Sequence, residues 1–468
     1  MAGTLKQDLS VKDLIALSVS SVGPLFSIAA TGGVMAANSG IYTILAIVLI
    51  AIPFIIASFV FRLLNRHFPH AGASYHWSAR VIGIKASRFQ AWILILAYFA
   101  SIPPIIIPAA NYTLALLFPN LQPNSLEEVG ASLFWVLFAL FPLLRGARPT
   151  ARLTQVFLVI ELVAVAVIVG LAISRWSQIH VAVHLGPLPI GGMIVTAVVA
   201  ATILDGWEID SYASEEAERP KSDPGVGGII GAFIALGFYA LIYPLMFGET
   251  PLRLLSGAAN PMATWGARLV PGKPWLVLIP VLASTAGGLW LTSFILIRAL
   301  YAMGREKLLP TSLAKVNHRG APSVATYVTL GAATLVVMLQ VFFQSLSSFF
   351  ALILSSAGFF LVVEFFLDSV TATIFLRRAH RSTVEEGKPH GHRVLYMFSA
   401  IASLLFGVFM VSFVFVAPHA IGSSIDYLIA GLVVAGVVFS RYSKRHDSIF
   451  HFHGRDRDEV ESVLDGIR

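Results

Sequence analysis

The sequence predicts an all-helical membrane protein of twelve spans, on three observations. The first is composition: 57% of the 468 residues are hydrophobic, 12% are charged and the mean hydropathy is +0.80. Soluble domains lie nearer 45–50% apolar and about 25% charged. The second is a series of apolar runs near the ~20 residues that cross a bilayer core. The third is the placement of basic residues. With the N-terminus inside, only Arg175, Arg253, Arg268 and Lys273 of the 32 Lys and Arg fall on the outer face, and Arg298 lies within a span. All the others sit at the cytoplasmic side, as a correct even-numbered topology requires.

The first span, 14–37, contains Gly23 and Pro24 at its centre. Proline lacks the N–H, clashes with the preceding turn and biases Gly23 away from helix. The span 41–62 follows, then a long third over 88–118 and a short fourth over 131–145. The fifth, 153–174, carries Glu161 well inside its apolar run, either bonded to a neighbouring helix or serving as a proton carrier. The sixth, 190–214, holds Asp205, Gly206, Trp207 and Glu208, a poor continuous helix. Asp205 and Glu208 share a face if it continues. A charge at that depth costs about 2.5–3.5 kcal/mol, so both are expected to face a cavity, a proton or a structural ion pair with Arg298. The remaining spans are 226–247, 275–304, 324–343, a long 346–376, 394–417 and 422–441. Glu364 and Asp368 are four apart in the tenth, with Asp368 expected near water.

Absence of cysteine excludes disulfides, thiolate nucleophiles and Cys-ligated clusters. Residues Met1 to Lys12 lack the features of a cleaved signal, so the first span is expected to persist. The net charge of +7 reflects topology and calls for no nucleic acid. His451 and His453, in a polar tail, lack a third ligand at useful spacing, so no metal is expected. No cofactor is expected either.

Breaks in spans one and six are five helices apart. An odd number of helices per repeat inverts the second half, and paired interruptions at corresponding positions mark an inverted-repeat transporter with a midplane site. An unwound segment frees backbone groups, and half-helix ends carry partial charges that hold ions.

Three stretches carry a family resemblance: Phe68 to Tyr75 (FPHAGASY) with Gly83 and Trp92; Asp205 to Glu208 (DGWE) with Ser214 to Pro220 and Pro224; and Arg298 to Glu306 with Leu309, Pro310 and Pro322. In these the chain resembles the amino acid–polyamine–organocation superfamily of secondary transporters. The resemblance implies a LeuT-like 5+5 inverted repeat over 14–174 and 190–376, two further helices over 394–441 and a cytoplasmic tail over 442–468. It implies a substrate carboxylate on backbone amides from Val22 to Ser27, with Ser21, Val22, Gly23 and Leu25 at the site, and an amine on carbonyls from Thr202 to Asp205 and Gly206. Glu208 matches a proton-sensing position, and Glu161 stands near where some relatives carry a lysine. Tyr98, Trp290 and Ser356 are expected around the substrate, with Trp207 closing over it. Helix one departs from the family by having fewer glycines, and Asp205 is an extra acid.

The expected function is alternating-access transport of amino acids or related amines across the cell membrane, coupled to protons, with sodium as the alternative coupling ion. Both termini face the cytoplasm, and the unit is a monomer or homodimer. Polyamine or organic-cation transport and amino-acid exchange are alternatives on the same fold. A membrane enzyme would want a mid-span base, yet the 13 histidines lie in loops, tails or span edges. A channel would want a filter built of repeated groups.

Overall fold

The computed structural model describes residues 5–118, 125–182, 185–256, 258, 260–342, 346–385 and 393–442. His451, His453 and the tail beyond residue 442 lie outside the described residues. Among those described the chain is helical without a sheet, and its β pairing is limited to two isolated bridges. In order the helices are α1 (Val11–Val22), α2 (Pro24–Ser39), α3 (Thr43–His67), α4 (Ser74–Val81), α5 (Ile84–Ser101) and α6 (Pro103–Leu117). Then come α7 (Ser125–Leu143), α8 (Ala147–Ile179), α9 (Ile190–Leu204), α10 (Ile209–Tyr212), α11 (Val226–Glu249) and α12 (Leu252–Ser256). The last are α13 (Pro261–Leu269), α14 (Trp275–Arg305), α15 (Ser323–Met338), α16 (Leu346–Glu385), α17 (Arg393–Ile421) and α18 (Ser424–Tyr442).

Ten stretches among these are long and apolar enough to cross a membrane. The first, Val11–His67, runs 57 residues through α1, α2 and α3, and α9 is a shorter apolar helix. Large apolar side chains face outward in helical register, such as Val156, Val159, Ile160, Val163 and Val167 on α8 and Leu404, Val408, Val411 and Phe415 on α17. Serines, threonines and acids are buried inside. That polarity suits a hydrocarbon solvent, since a soluble monomer rarely exposes apolar patches of this extent. The chain is a multi-pass membrane protein.

The expected third span is two helices, α5 and α6, parted at Ile102. Pro103 sits at the first position of α6, where its missing N–H costs nothing. Helix α8 begins at Ala147, earlier than the apolar run, because charged Arg148 and Arg152 are compatible with helix outside the hydrocarbon. The centre of the bundle is built by α1 against α8 and α11, α2 against α9, and α9 against α3 and α16. A capping box starts α1: Ser10 Oγ accepts from Asp13 N, and Asp13 Oδ2 accepts from Ser10 N at 3.0 Å.

Candidate functional site

Helix α1 ends at Gly23, which takes a left-handed φ of 50°, and Pro24 opens α2 as its first residue. The single-residue break leaves the amides at the start of α2 without intrahelical acceptors. Two side chains from distant helices supply them. Glu161 Oε1 on α8 accepts from Leu25 N at 3.4 Å, and Ser284 Oγ on α14 accepts from Phe26 N at 3.0 Å. Ser284 Oγ donates to the same Glu161 oxygen at 2.5 Å. A buried carboxyl therefore lies against the positive end of α2.

Helix α9 ends at Leu204, and Asp205 to Glu208 run outside any α-helix before the single turn of α10. Gly206 has φ 97°, and a Cβ there would lie 2.9 Å from Ser21 O and 2.8 Å from Ser21 Oγ. Only glycine permits this approach of one break to the other. Glu208 folds back on its own turn. Its carboxyl accepts from Gly206 N at 2.8 and 3.0 Å and from Tyr98 OH at 2.8 Å. Gly206 N–H is the usual donor to Thr202 O in a continuing helix, so that carbonyl leaves the helical ladder. Tyr239 of α11 reaches both breaks, its hydroxyl donating to Ile203 O at 2.8 Å and lying 3.3 Å from Val22 O.

A cavity of about 30 Å³ lies between the breaks, lined by Ser21, Val22, Phe26, Ser27, Thr202 and Asp205 together with Ala30, Thr31, Ser101, Pro104, Ile105, Gly288, Thr292 and Leu354. It has room for a water-sized guest and is far below the roughly 300–1,000 Å³ of an open small-molecule site. The hydroxyl of Ser21 is buried there without a protein partner among the described residues. The lining sets an orphaned donor and a carboxyl beside an apolar wall of Val22, Phe26, Ile105 and Leu354, a chemistry that matches a polar head and an aliphatic tail only once the cavity is wider than in this closed form.

Of the residues expected from sequence, Ser21, Val22, Thr202 and Asp205 line the cavity. Gly23, Leu25 and Gly206 form the breaks behind it. Tyr98 and Glu208 are bonded to each other beneath the second break. Trp207 lies outside the lining and packs its ring on Phe61 and Phe365, at 5.3 and 5.6 Å between centroids. Trp290 faces the opposite side of α14, donating to Thr154 Oγ1 at 3.0 Å and stacking edge-on with Phe157. Ser356 bonds its own helix at Ile353 O. Phe26 and Ser27 fall within the helix-one stretch expected to hold the carboxylate. Ser101, Gly288 and Thr292 were not singled out from the sequence, and nothing local marks these three on α5 and α14.

Arg298 pairs with neither Asp205 nor Glu208. It holds Glu216 through two 3.0 Å bonds and lies over the Phe294 ring. Asp368, expected near water, is fully buried. Ser74 Oγ donates to it at 2.8 Å, and Tyr212 OH donates to Glu364 at 2.9 Å. Neither acid has an ion-pair partner among the described residues.

Where α14 ends, Glu306 Oε1 is 3.1 Å from His70 Nε2 and 3.3 Å from His76 Nδ1, and Tyr75 OH donates to Oε2 at 2.7 Å. Burial pulls the Glu306 carboxyl up, but the two imidazoles outweigh it and hold it well below the usual carboxylate range. Burial and the neighbouring His70 push the His76 imidazole down to about 4. These three are the one group of potential metal ligands among the described residues. Arg305 Nη2 is 2.8 Å from His70 Nε2, and Arg80 Nε donates to His76 Nε2 at 3.3 Å. The cluster works as a polar latch between the α3–α4 loop and the end of α14.

The family profile described as amino acid permease matches residues 9–438. The branched-chain amino acid permease BcaP of Lactococcus lactis subsp. cremoris (strain MG1363) is 24% identical over 356 residues, covering 71% of this chain and 75% of that protein. The BcaP of Bacillus subtilis (strain 168) is 22% identical over 347 residues, 69% and 73% of the two chains. The Asc-type amino acid transporter 1 of Homo sapiens is 23% identical over 300 residues, 61% of this chain and 56% of that one. Matched across nearly its whole helical body, and with two helix breaks closing on a polar cavity, the chain is a transporter rather than an enzyme and belongs to the amino acid permease family.

Proposed function

We propose that this protein carries neutral amino acids, preferring branched aliphatic side chains, across the cell membrane by alternating access coupled to protons. The observation that carries the reading is the meeting of two interrupted helices at one cavity, with the orphaned Ser21 hydroxyl and Asp205 beside an apolar wall. The wall of Val22, Phe26, Ile105 and Leu354 suits an aliphatic side chain. Similarity to branched-chain permeases supports the same cargo.

In this reading Val11–His67 supplies two spans, and Ile190–Leu204 with its continuation through Tyr212 supplies one more, for twelve in all. Residues 14–174 and 190–376 are the inverted repeats, with the helices over 394–441 outside them and both termini cytoplasmic. The breaks lie at mid-membrane, where irregular backbone survives only beside a cavity. The pathway lies within one chain, so a monomer suffices and a homodimer would hold two pathways.

The cargo's ammonium binds Asp205 and the Thr202 carbonyl, and its carboxylate binds the Leu25 and Phe26 amides. Those amides are taken by Glu161 and Ser284. A proton on Glu161 weakens its hold and frees them, which links proton uptake to cargo binding. Glu208 supports the second break in the same way. Neither acid has an ion-pair partner among the described residues, which favours protons over sodium as coupling ion. A cationic-amine cargo is the second reading, favoured by the extra carboxyl of Asp205.

The test is uptake of labelled leucine into proteoliposomes of the purified full-length chain. Saturable counterflow, and uptake that rises with an inward proton gradient, are expected. Uptake that follows sodium and ignores pH removes the coupling. Failure of counterflow with every neutral amino acid removes the cargo. Amine uptake lost in Asp205→Asn, with leucine ineffective as a competitor, favours the second reading.

A further inference from the structure

Five basic side chains from three parts of the chain surround an open cavity of about 510 Å³, remote from the helix breaks. Lys6 comes from the segment before α1, Arg145, Arg148 and Arg152 from the α7–α8 junction and the first turns of α8, and Arg319 from the loop before α15. The only acids in the lining are Asp8 and Glu216, and Glu216 is already held by Arg298 through two bonds. None of the five cations has an ion-pair partner among the described residues. Within the lining a single carboxylate, Asp8, is thus left to face five positive charges, with Asp13 close enough to Asp8 to act on it from outside the lining.

The walls are fixed to one another. Leu9 N donates to Glu216 O at 2.9 Å, and Asn317 Nδ2 donates to Leu144 O at 2.9 Å. A Cβ on Gly146 would sit 2.9 Å from Arg319 O, so the α7–α8 junction and the α15 loop touch through backbone. The 33-residue α8 starts at this cavity without a side-chain cap and without an acidic residue in its first turn. Its positive end therefore adds to the field of the arginines. Topology alone requires basic residues on this side, but it does not require five of them to converge on one concave volume.

The approach to the cavity is apolar. The Arg145 guanidinium lies 3.9 Å over the ring of Phe141. Phe141 is 53% exposed and continues a strip with Leu137 at 65% and Phe134 at 54% on the outer face of α7. An amphiphile with an anionic head and apolar tails matches both features, whereas a soluble anion makes no use of the strip.

We propose that this cavity binds the phosphate of an anionic phospholipid, with acyl chains along the exposed strip of α7. An occupied site ties the segment before α1 to the start of α8 and to the α15 loop. It goes beyond the transport reading, and its test reads binding alone.

The test is native mass spectrometry of the full-length protein released from micelles doped with phosphatidylglycerol or phosphatidylcholine. Retention of phosphatidylglycerol over phosphatidylcholine is expected. The triple variant Arg145→Gln/Arg148→Gln/Arg152→Gln should bind it at least about tenfold more weakly, and Arg319→Gln, on a separate segment, about threefold more weakly. Loss of two positive charges outside the cavity lining, Lys85→Gln/Lys315→Gln, should leave it within about twofold. Melting in neutral lipid separates lost binding from lost folding: the triple variant should melt with the parent, and Arg319→Gln carries the test if it does not. Equal loss in the Lys85 and Lys315 variant overturns the site in favour of diffuse attraction. Undiminished binding in both arginine variants places the lipid elsewhere and overturns it too. If millimolar inorganic phosphate stabilises the parent in neutral detergent and phosphatidylglycerol is not retained, the anion is soluble and the lipid proposal falls.

Discussion

At Gly23 the chain leaves the helix for one residue, whereas from Asp205 to Glu208 it leaves the α-helix for four. The short break exposes amides, and borrowed groups cover them: Glu161 arrives from α8 and Ser284 from α14. The longer break covers its own Gly206 amide with Glu208, two residues on in the same turn, and sends Asp205 to the cavity. The amides of the first break are thus covered by other helices, and the Gly206 amide of the second by its own turn, with Tyr98 and Tyr239 bracing that turn from α5 and α11. A helix N-terminus presents donors and a helix C-terminus presents carbonyls, so the pair offers both kinds of partner that a zwitterion needs. It also places a protonatable group at each end.

The largest effect is expected at Gly206. Its added Cβ would meet Ser21 backbone at 2.9 Å, and its φ of 97° strains any other residue. Gly206→Ala is expected to lower leucine uptake by roughly 100-fold or more, measured in proteoliposomes at matched protein. A loss under tenfold would mean that the two breaks need not touch. Glu208→Gln replaces an acceptor of three donor contacts by an amide, and a loss of about tenfold in uptake is expected. Gly23→Ala is milder. Its Cβ would find Ser284 Oγ at 3.5 Å, an ordinary contact, and only the left-handed φ of 50° is unfavourable. A cost of about 1–2 kcal/mol implies uptake lowered about fivefold to thirtyfold if the strain falls on the working state. Parity of Gly23→Ala with Gly206→Ala would erase the distinction drawn between the breaks.

Glu161→Gln keeps an oxygen for Leu25 N–H but cannot ionise. Counterflow within about threefold of the parent is expected, while the response of net uptake to an imposed proton gradient disappears. A retained response would free Glu161 of the coupling role.

The smallest effect lies at the latch. His76 titrates near 4 in the folded protein and near 6.5 in the unfolded chain. The unfolded chain therefore takes up a proton first as the pH falls. The stability from neutral His76 is full above pH 6.5 and is lost progressively down to about pH 4. Between pH 7 and 5 the melting temperature of the parent should fall roughly 2 °C more than that of His76→Gln. Glu306, held low, adds its own loss only below that window.

Much of this was readable along the chain because the signals are local. Gly23 and Pro24 specify a break by their own backbone chemistry, and Asp205, Gly206 and Glu208 do so by charge and flexibility within one turn. The division of α5 from α6 was equally local, since Pro103 and Pro104 stand at the seam, yet the continuous apolar character from 88 to 118 masked it. The placement of Trp290 was not readable. An aromatic on α14 has two faces, and only packing against Phe157 and Thr154 selects the one turned from the cavity. Ser284, Tyr239 and Ser101 were unmarked for the same reason.

Read along the chain, the residues specify that it spans the bilayer many times, where two of its helices stop, and that Glu161, Asp205, Glu208 and Glu364 stand within apolar runs. Those properties follow from hydropathy and backbone preference over a few residues. Folding is what brings Glu161 over the amides of α2, Arg298 onto Glu216, and five cations together beside α8. Each of these joins residues far apart in the chain. Helical periodicity states which face a residue occupies, but not which helix lies opposite it.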